Sequence, residues 1–323
     1  MDILISEELE STAIDRLAGK FSVTRVGGLW SDPVALGEQI AGARAIMIRN
    51  QTRLTAEVLE RAGKLQAIGR VGVGLDNIDL AAAERLGIVV VAPLDANAVS
   101  VAELSMGLII SLARKIPRSD RSTKSGGWDR KGCTGLELAG KTLLICGFGR
   151  IGRKLAVRAR AFEMRVLAFD PFVKGDSPSL RETGAELREN LEGALGEADF
   201  VSVHLPMTAS TKHLFNAQTL ARMKKGAFFI NTSRGGVVDE GALFAALGNG
   251  HLGGAALDVR EVEPPIRRED LAAMDQVILT PHVGSFTAEA QSRTFEAVAA
   301  DLEAILSGQA AVNFVNFSTP RRA

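Results

Sequence analysis

Residues 143–170 read LLICGFGRIGRKLAVRARAFEMRVLAFD, and this stretch indicates the fold class. An apolar run leads into the glycine turn Gly147-Phe148-Gly149-Arg150-Ile151-Gly152, a segment with helical periodicity follows, and a second apolar run ends in Asp170. Strand, glycine turn, helix and strand in this order are typical of a βαβ unit. The stretch therefore predicts an α/β protein with a parallel sheet.

The three glycines of this turn favour a dinucleotide site. The first permits a tight bend, the second lets a pyrophosphate approach the backbone, and the third lets the helix pack on the strand. The acidic residue about 20 positions further on strengthens the pattern. Asp170 is expected to bind the adenosine ribose hydroxyls and to repel a 2′-phosphate, which favours NAD over NADP. Alternatively, Asp170 only caps the turn before Pro171.

The composition excludes several classes of protein. The 323 residues have room for about two domains. Lysine plus arginine and aspartate plus glutamate number 38 each, so neither nucleic acid nor an anionic membrane is expected as a partner. Two cysteines are too few for a disulfide framework, and we expect no metal. The N-terminal residues resemble no signal peptide and no apolar run is long enough to span a bilayer, so we expect a cytoplasmic protein.

Apolar runs and helical segments alternate along the chain, which predicts two α/β lobes. The first series contains ILIS, AIMI, LQAIG and IVVVA, and the second extends from KTLLICG to QVILT. Between them, the segment AVSVAELSMGLIISLARK from Ala98 has small and apolar residues on most sides and is expected to be a buried helix. Two helical stretches are expected after His282. The last helix is expected to return to the first lobe, because the second already has a full set of strands.

A second glycine cluster, GRVGVGLDNID, extends from Gly69 to Asp79. It lacks the third glycine of a dinucleotide turn, and no acidic residue closes the next strand. We interpret it as a loop of exposed backbone N–H groups at the end of a strand, suited to a small carboxylate. The alternative is a structural turn capped by Asp76 and Asn77.

Four polar side chains directly follow predicted strands, where ligands bind in open parallel sheets. They are His204, Arg234, Glu263 and His282. Histidine exchanges protons near neutral pH, glutamate beside it favours the imidazolium, and arginine binds a carboxylate with two N–H groups. With a nicotinamide, these groups are suited to reducing a 2-keto acid to a 2-hydroxy acid. Spacing alone does not choose between His204 and His282.

The runs GFGRIG, FDP, INTSRGGVVDE, LDVREVEPP and TPHVGS occur in this order and resemble the D-isomer-specific 2-hydroxyacid dehydrogenase family. The resemblance covers essentially the whole chain, including GRVGVGLDNID and NAVSVAEL. It implies an NAD-dependent oxidoreductase that interconverts a small 2-keto acid and its D-2-hydroxy acid, of the phosphoglycerate, glycerate/hydroxypyruvate or glyoxylate type.

The family resemblance also implies the domain organisation. Two Rossmann/flavodoxin-like lobes are expected, in which an NAD-binding Rossmann domain, residues 99–288, is inserted into a discontinuous substrate-binding domain, residues 1–98 plus 289–323. A homodimer is implied, with contacts through the helix from Ala98 and the segment around Trp128. Trp128 could instead simply be buried in an interface.

The resemblance distributes the catalytic roles among three residues. Arg234 binds the carboxylate and carbonyl of the substrate, Glu263 pairs with the catalytic histidine, and His282 is the acid/base. His204 then becomes a residue on the cofactor side. The substrate-binding positions implied by the family are Arg49, Val71, Gly72, Val73, Gly74 and Arg234.

Further positions are implied to contact the cofactor. Arg150 and Ile151 would contact the pyrophosphate, and Thr232 and Asp258 would lie on the nicotinamide side. Asp258 is alternatively a cap at the end of a strand. The full set of implied cofactor-binding positions is Gly147, Gly149, Arg150, Ile151, Gly152, Asp170, His204, Leu205, Pro206, Thr211, Thr232, Ser233, Asp258, Gly284 and Val101.

The sequence departs from the family in one place that bears on the substrate. Members that act on phosphoglycerate often have a serine after the arginine of the first-lobe run, whereas this chain has Arg49-Asn50-Gln51-Thr52. The difference weakens the expectation of a phosphorylated substrate. We also expect no C-terminal regulatory domain of the kind present in some phosphoglycerate dehydrogenases.

Three other functions share this pattern. A non-catalytic NAD-binding corepressor keeps the same Arg, Glu and His, but this chain lacks extended disordered or basic flanks. Formate dehydrogenases pair their histidine with glutamine, whereas Glu263 stands here, and this also makes a formate or phosphite dehydrogenase a minor alternative. An NADPH-dependent keto acid reductase is disfavoured by Asp170.

Overall fold

The computed structural model describes residues 1–265 and 271–321, and the chain divides into two compact units. Unit 1 consists of Met1–Asn97 and Ser285–Ala323, and unit 2 of Ala98–Gly284. The predicted domain boundaries lie after residues 98 and 288, and the boundaries between the units lie after residues 97 and 284. Both units contain a parallel sheet with helices, as the βαβ pattern predicts.

Unit 1 contains a five-stranded parallel sheet in the order β2-β1-β3-β4-β5. Its strands are β1 (Ile3–Ile5), β2 (Val23–Arg25), β3 (Ala45–Ile48), β4 (Ala67–Arg70) and β5 (Val89–Val91). Its helices are α1 (Thr12–Ala18), α2 (Pro33–Ile40), α3 (Ala56–Arg61), α4 (Leu80–Arg85) and α12 (Ala288–Leu306), with a 3₁₀ turn at Leu29–Ser31. Strands β1, β3, β4 and β5 are buried throughout and largely apolar, as expected for strands covered on both faces, whereas the edge strand β2 is partly exposed.

Helix α12 belongs to unit 1 and packs on the strand β4. A Cβ atom at Gly69 would lie 2.7 Å from Cγ1 of Val298 and 2.9 Å from Cδ1 of Leu302, so a larger residue there would displace these two side chains of α12. The helix is continuous over 19 residues. The expectation of two helical stretches after His282 is therefore wrong, because no glycine or proline interrupts the periodic apolar face within residues 288–306.

Unit 2 contains a seven-stranded parallel sheet in the order β12-β11-β10-β9-β6-β7-β8. Its strands are β6 (Thr142–Cys146), β7 (Arg165–Phe169), β8 (Glu186–Leu187), β9 (Phe200–Val203), β10 (Phe228–Asn231), β11 (Gly254–Leu257) and β12 (Val277–Leu279). Its helices are α5 (Ala98–Ala113), α6 (Ile116–Lys124), α7 (Arg150–Ala161), α8 (Pro178–Thr183), α9 (Leu191–Glu197), α10 (Ala217–Ala221) and α11 (Glu240–Gly248), with 3₁₀ turns at Gly235–Val237 and Leu271–Ala273.

The strand order of unit 2 reverses between β6 and β9. Strands β7 and β8 extend the sheet on one side of β6, and strands β10, β11 and β12 extend it beyond β9 on the other. In open parallel sheets, ligands bind beyond the carboxyl ends of the strands at such a switch point. The glycine turn after β6 and His204 after β9 flank this point, and the His204 N–H donates to the Cys146 carbonyl over 2.7 Å.

The helix α5 is buried, as its apolar composition predicts. Ten of its sixteen residues are buried, among them Val101, Ser105 and Ile109. The helix ends at Ala113, and α6 begins at Ile116 after Lys115, whose φ of 52° is left-handed. Within the described residues, no helix is both long enough and apolar enough to cross a membrane.

Candidate functional site

The three glycines of the turn after β6 have three different surroundings. Gly147 has φ +95°, and a Cβ atom there would lie 2.5 Å from the His204 carbonyl oxygen. A Cβ at Gly152 would lie 2.3 Å from the Gly147 carbonyl oxygen. At Gly149 no protein atom lies within 4 Å of the Cβ position. Packing thus requires the first and third glycines, whereas the second leaves open space at the N-terminus of α7, where a phosphate group fits.

Asp170, at the end of β7, is bonded to the glycine turn. One carboxylate oxygen accepts from the Phe148 N–H over 2.8 Å and the other from the Phe172 N–H over 2.9 Å. The second bond is the turn cap that we considered as the alternative role, and the first ties β7 to the turn. Each oxygen keeps another lone pair. An open cleft of about 420 Å³ adjoins the carboxylate and is lined by Phe148, Gly149, Arg153, Asp170, Phe172, Val173, Lys174, Asp176, Ser177 and Ser179.

His204 is placed beside the glycine turn, but it is not suited to donating a proton at neutral pH. Burial lowers the pKa of His204 to about 4, so the ring is neutral there. Its Nε2 atom lies 2.9 Å from Ser202 Oγ, and its Nδ1 atom is buried and has no partner within the described residues. The environment therefore distinguishes His204 from His282, which spacing in the sequence did not.

His282 and Glu263 form a direct pair. His282 Nδ1 lies 2.7 Å from Glu263 Oε2, and the two side chains are 46% and 37% exposed. Burial raises the pKa of Glu263, but bonds from His282 and from the Arg260 N–H, with the charges of His282 and Arg234, hold it below its ordinary value overall. Glu263 is thus ionised at neutral pH and orients the imidazole ring.

Asp258 organises the turn that carries His282. Its carboxylate is 1% exposed and accepts from the N–H groups of Val283 and Gly284 over 2.9 and 2.8 Å and from the Thr280 hydroxyl. The His282 N–H donates to the Asp258 carbonyl over 2.8 Å. These bonds hold His282 at φ +55°, a left-handed conformation that is unfavourable for a side chain other than glycine. Asp258 therefore fulfils the strand-end role considered as an alternative.

Arg234 follows β10 on a turn that Asn231 holds. The Asn231 side-chain oxygen accepts from the N–H and hydroxyl of Ser233, and its amide donates to the Arg234 carbonyl over 2.9 Å. The guanidinium Nη1 of Arg234 donates to the Ser233 carbonyl over 2.8 Å. A Cβ at Gly235 would lie 1.8 Å from the Arg260 carbonyl oxygen, so this glycine lets the Arg234 turn touch the loop that leads to Glu263.

Other implied cofactor positions have structural contacts within unit 2. The Thr232 hydroxyl lies 2.9 Å from Ser105 Oγ, which also donates to the Val101 carbonyl. A Cβ at Gly284 would lie 3.4 Å from Val101 Cγ2.

The implied positions after β9 form a compact turn. Leu205 is 8% exposed and packs in the core beside the glycine turn. The Thr211 hydroxyl donates to the Pro206 carbonyl over 2.7 Å and accepts from the Thr208 N–H. Side-chain bonds therefore fix the backbone of this segment.

In unit 1, the second glycine cluster begins with the last two residues of β4 and continues into the loop after it. The Val71 N–H donates to the Ile48 carbonyl and the Gly72 N–H to the Arg70 carbonyl, so these two amides are already used. Those of Val73 and Gly74 make no bond to the described part of the chain and are the amides of this loop that can receive a carboxylate. Gly72 has φ +148°.

Arg70 lies beneath this loop. It is 8% exposed and its Nη1 donates to the Val71 carbonyl over 2.7 Å, close to where a Cβ at Gly72 would stand. Arg70, the last residue of β4, was not predicted as a site residue, because the local sequence does not show that its guanidinium bonds to the loop.

Arg49, directly after β3, also lies in unit 1. Its Nη2 donates to Gln291 Oε1 over 2.6 Å, and its guanidinium lies 4.3 Å from the centre of the Phe286 ring. The buried Glu7 carboxylate accepts from the N–H groups of Arg49, Gln51 and Thr52. These three backbone N–H groups are therefore not available to an anion.

Unit 2 brings Arg234, Glu263 and His282 to neighbouring loops at the carboxyl ends of β10, β11 and β12. Asn231, whose bonds shape the Arg234 turn, was not predicted as a site residue. Its position at the end of a strand, inside the INTSRGG run, was an available signal. No cluster of three or more metal-ligating side chains occurs within residues 1–265 and 271–321.

The model of the D-isomer specific 2-hydroxyacid dehydrogenase NAD binding domain matches residues 106–284. The D-3-phosphoglycerate dehydrogenase of Methanocaldococcus jannaschii is 42% identical over 97% of this chain and 59% of its own length. The chain thus spans between half and three fifths of the length of these curated relatives.

Solved structures match nearly the whole chain. A protein from Thermus thermophilus is 35% identical, with a TM-score of 0.90 over 98% of this chain and 100% of that one. The D-lactate dehydrogenase of Aquifex aeolicus, solved with NAD and lactic acid, is 29% identical, with a TM-score of 0.87 over 98% of this chain and 99% of that one. The matches confirm the α/β architecture and the predicted resemblance, and residues 106–284 form an NAD-binding domain. The chain belongs to the D-isomer-specific 2-hydroxyacid dehydrogenase family.

Proposed function

We propose that the protein is an NAD-dependent oxidoreductase that interconverts a small 2-keto acid and its D-2-hydroxy acid. The observation that carries the proposal is the pair formed by His282 Nδ1 and Glu263 Oε2 at 2.7 Å, next to the turn that presents Arg234. With a hydride donor, an imidazole oriented by an ionised carboxylate and a guanidinium suit the reduction of a keto acid, because they supply a proton and bind the substrate carboxylate.

Each of the three residues has a distinct task in the reduction. Arg234 binds the substrate carboxylate and orients the adjacent carbonyl. His282 donates a proton from Nε2 to the carbonyl oxygen as the carbon is reduced, and it takes this proton back in the oxidation. Glu263 accepts from His282 Nδ1, which keeps Nε2 facing away from the carboxylate and stabilises the charged ring.

The residues of unit 2 fit NAD. Gly149 leaves open space at the N-terminus of α7, and Asp170 adjoins an open cleft beside the same turn. The Asp170 carboxylate has a lone pair on each oxygen for ribose hydroxyls, and its charge disfavours a 2′-phosphate. When bound, the nicotinamide supplies the hydride in reduction and accepts it in oxidation.

Unit 1 supports an anionic substrate of small size. The free amides of Val73 and Gly74 and the guanidinium of Arg70 suit a carboxylate. In the loop after β3, Glu7 uses the backbone N–H groups of Arg49, Gln51 and Thr52, so this loop offers few donors to a phosphate. We therefore propose glyoxylate or hydroxypyruvate ahead of a phosphorylated keto acid.

We also propose that the protein works in the cytoplasm as a homodimer. Trp128 is 81% exposed, and Ile116 and Leu136, from the same stretch of unit 2, are 47% and 45% exposed. Large apolar side chains that share an exposed region of a chain are typical of association surfaces. The family resemblance assigns the dimer contact to this region.

NADH consumption by the purified protein tests the activity. The panel contains hydroxypyruvate, glyoxylate, pyruvate and phosphohydroxypyruvate, with NADPH in parallel. We expect one non-phosphorylated acid to have the highest kcat/KM with NADH. The variant His282→Gln tests the role of the histidine. It should lower kcat about a thousandfold, while NADH affinity changes less than about twofold. The proposal would be wrong if a protein that binds NADH reduced none of these acids, or if His282→Gln kept full turnover.

A further inference from the structure

The loop that carries Glu263 is fixed by an ion pair. Arg260 Nε and Nη2 donate to Glu240 Oε1 and Oε2 over 2.9 and 2.8 Å, which is a two-pronged contact. The two side chains are only 16% and 20% exposed. Such a sheltered, planar contact fixes the position of both partners far better than a surface ion pair does.

The same carboxylate also binds the backbone of the loop. Glu240 Oε1 accepts from the Glu261 N–H over 2.7 Å. Glu240 is the first residue of α11, so the loop is attached to the beginning of a helix that packs in the core of unit 2. The Arg260 carbonyl, in turn, touches the Arg234 turn at Gly235.

The backbone of Arg260 reaches the acid/base pair. Its N–H donates to Glu263 Oε1 over 2.9 Å, and the other oxygen of Glu263 accepts from His282. A continuous series of contacts thus joins Glu240, Arg260, Glu263 and His282. No substrate or cofactor group is needed to complete it.

We propose that Arg260 is a positioning residue: held by Glu240, it fixes the N–H group that orients the Glu263 carboxylate toward His282. The proposal rests on the proposed function, in which His282 is the proton donor. Arg260 does not act on the substrate itself. It reduces the freedom of Glu263, so that the imidazole is held in one orientation before the reaction begins.

The charged groups around Glu263 set the direction of the pH effect. They are His282 after β12 and Arg234 after β10, and with the hydrogen bond from the Arg260 N–H they hold the pKa of Glu263 below its ordinary value despite burial. The Arg260 guanidinium also interacts with the charge of Glu263. Without the side chain of Arg260, its N–H is less well placed and the pKa of Glu263 rises. The acid limb of the pH–rate profile then moves to higher pH.

Three variants test the proposal in the full-length protein: Arg260→Met, Arg260→Lys and Glu240→Gln. In Arg260→Met we expect kcat/KM at pH 7 to fall about tenfold, and the acid limb to move up by about half a pH unit. NADH affinity should change less than about twofold. Glu240→Gln should act in the same direction. Arg260→Lys should lie between Arg260→Met and the wild type, because it keeps the charge but not the two-pronged contact with Glu240.

Arg222→Met is the matched control. Arg222 pairs with Glu192 in unit 2 over 3.3 Å, and the side chains are 63% and 60% exposed. The same loss of an arginine should leave the pH profile unchanged there. An equal shift in Arg222→Met would overturn the proposal.

A second readout does not depend on turnover. The amide proton of residue 260 is bonded to the Glu263 carboxylate, so its NMR shift follows the titration of Glu263. In Arg260→Met the midpoint of this titration should rise with the acid limb. An unchanged midpoint, with activity falling only in parallel with Tm, would show that the ion pair is merely structural. If the wild type reduces no keto acid, the proposed function fails, and the amide titration still decides the role of Arg260.

Discussion

Two of the four histidines follow strands of the same sheet, yet their surroundings give them opposite properties. The Nδ1 atom of His204 is buried without a partner among the described residues, and burial lowers the pKa of the ring to about 4. His282 faces an ionised carboxylate at 2.7 Å. The first environment keeps an imidazole neutral, whereas in the second the carboxylate accepts a hydrogen bond from Nδ1 and orients the ring for proton transfer.

The environment of His204 predicts how stability depends on pH. The folded pKa, about 4, lies below the ordinary value of 6.5. As pH falls through 6.5, the unfolded chain therefore binds a proton that the folded chain does not, and stability decreases until about pH 4. Between pH 7 and pH 5 this residue should remove about 2 kcal/mol from the free energy of unfolding.

Urea unfolding of the wild type and His204→Gln at both pH values measures this effect. The loss between pH 7 and pH 5 should be smaller in the variant by about 2 kcal/mol. Equal losses in the two proteins would mean that His204 is protonated in the folded state at pH 5.

Asp170 is predicted to select the cofactor. Replacing it with alanine removes the charge that repels a 2′-phosphate, so the ratio of kcat/KM with NADH to that with NADPH should fall about tenfold, or about 1.4 kcal/mol. The variant also loses the acceptors for the Phe148 and Phe172 N–H groups and should be less stable by about 1–2 kcal/mol. Asp170→Asn keeps one acceptor and separates the two effects. A ratio that stays constant in both variants would exclude a role for Asp170 in cofactor choice.

At the level of secondary-structure elements, the glycine turn between β6 and α7 contains one glycine that packing requires and another that leaves space for a ligand. Gly152 is required by the Gly147 carbonyl at 2.3 Å, whereas no protein atom lies near the Cβ position of Gly149. The backbone of Gly149, at φ −75° and ψ −154°, is accessible to any residue. Neither the packing nor the backbone conformation of the described protein therefore requires a glycine at position 149.

Two alanine substitutions in this turn should have opposite effects. Gly149→Ala should leave the free energy of unfolding within about 0.5 kcal/mol and weaken NADH binding at least about tenfold, because the methyl group occupies the space for the pyrophosphate. Gly152→Ala should destabilise the protein by about 1–3 kcal/mol through overpacking. Urea unfolding and NADH fluorescence titration measure the two quantities. Unchanged NADH affinity in Gly149→Ala would place the cofactor elsewhere.

For the molecule as a whole, the exposed apolar residues of unit 2 predict self-association. Sedimentation velocity of the wild type should give twice the chain mass of 34.3 kDa. Trp128→Glu places a charge in the contact and should weaken the dimer about thirtyfold, or about 2 kcal/mol. Trp30→Glu, which changes a tryptophan of unit 1 that is 42% exposed, is the control and should remain dimeric. A monomeric wild type would refute the dimer.

Local patterns in the sequence were sufficient to predict the α/β architecture, the glycine turn and the family. The spacing of apolar residues indicates strands and helices. A tight turn between a strand and a helix requires glycine at fixed positions, so it can be recognised in the sequence. The runs around Arg234, Glu263 and His282 were recognisable for the same reason. In each of these short segments, the reactive side chain and the turn that presents it depend on residues that are adjacent in the sequence.

The way in which those segments act on one another emerged only from the folded chain. The neutral state of His204 depends on burial, the ionised state of Glu263 on groups from three loops, and the contact between Arg260 and Glu240 on residues 20 positions apart. In unit 1, Glu7 removes the backbone donors of a loop more than 40 residues away. Electrostatic interactions and hydrogen bonds depend on distance in space, and distance in space between remote residues follows from the fold and not from local pattern.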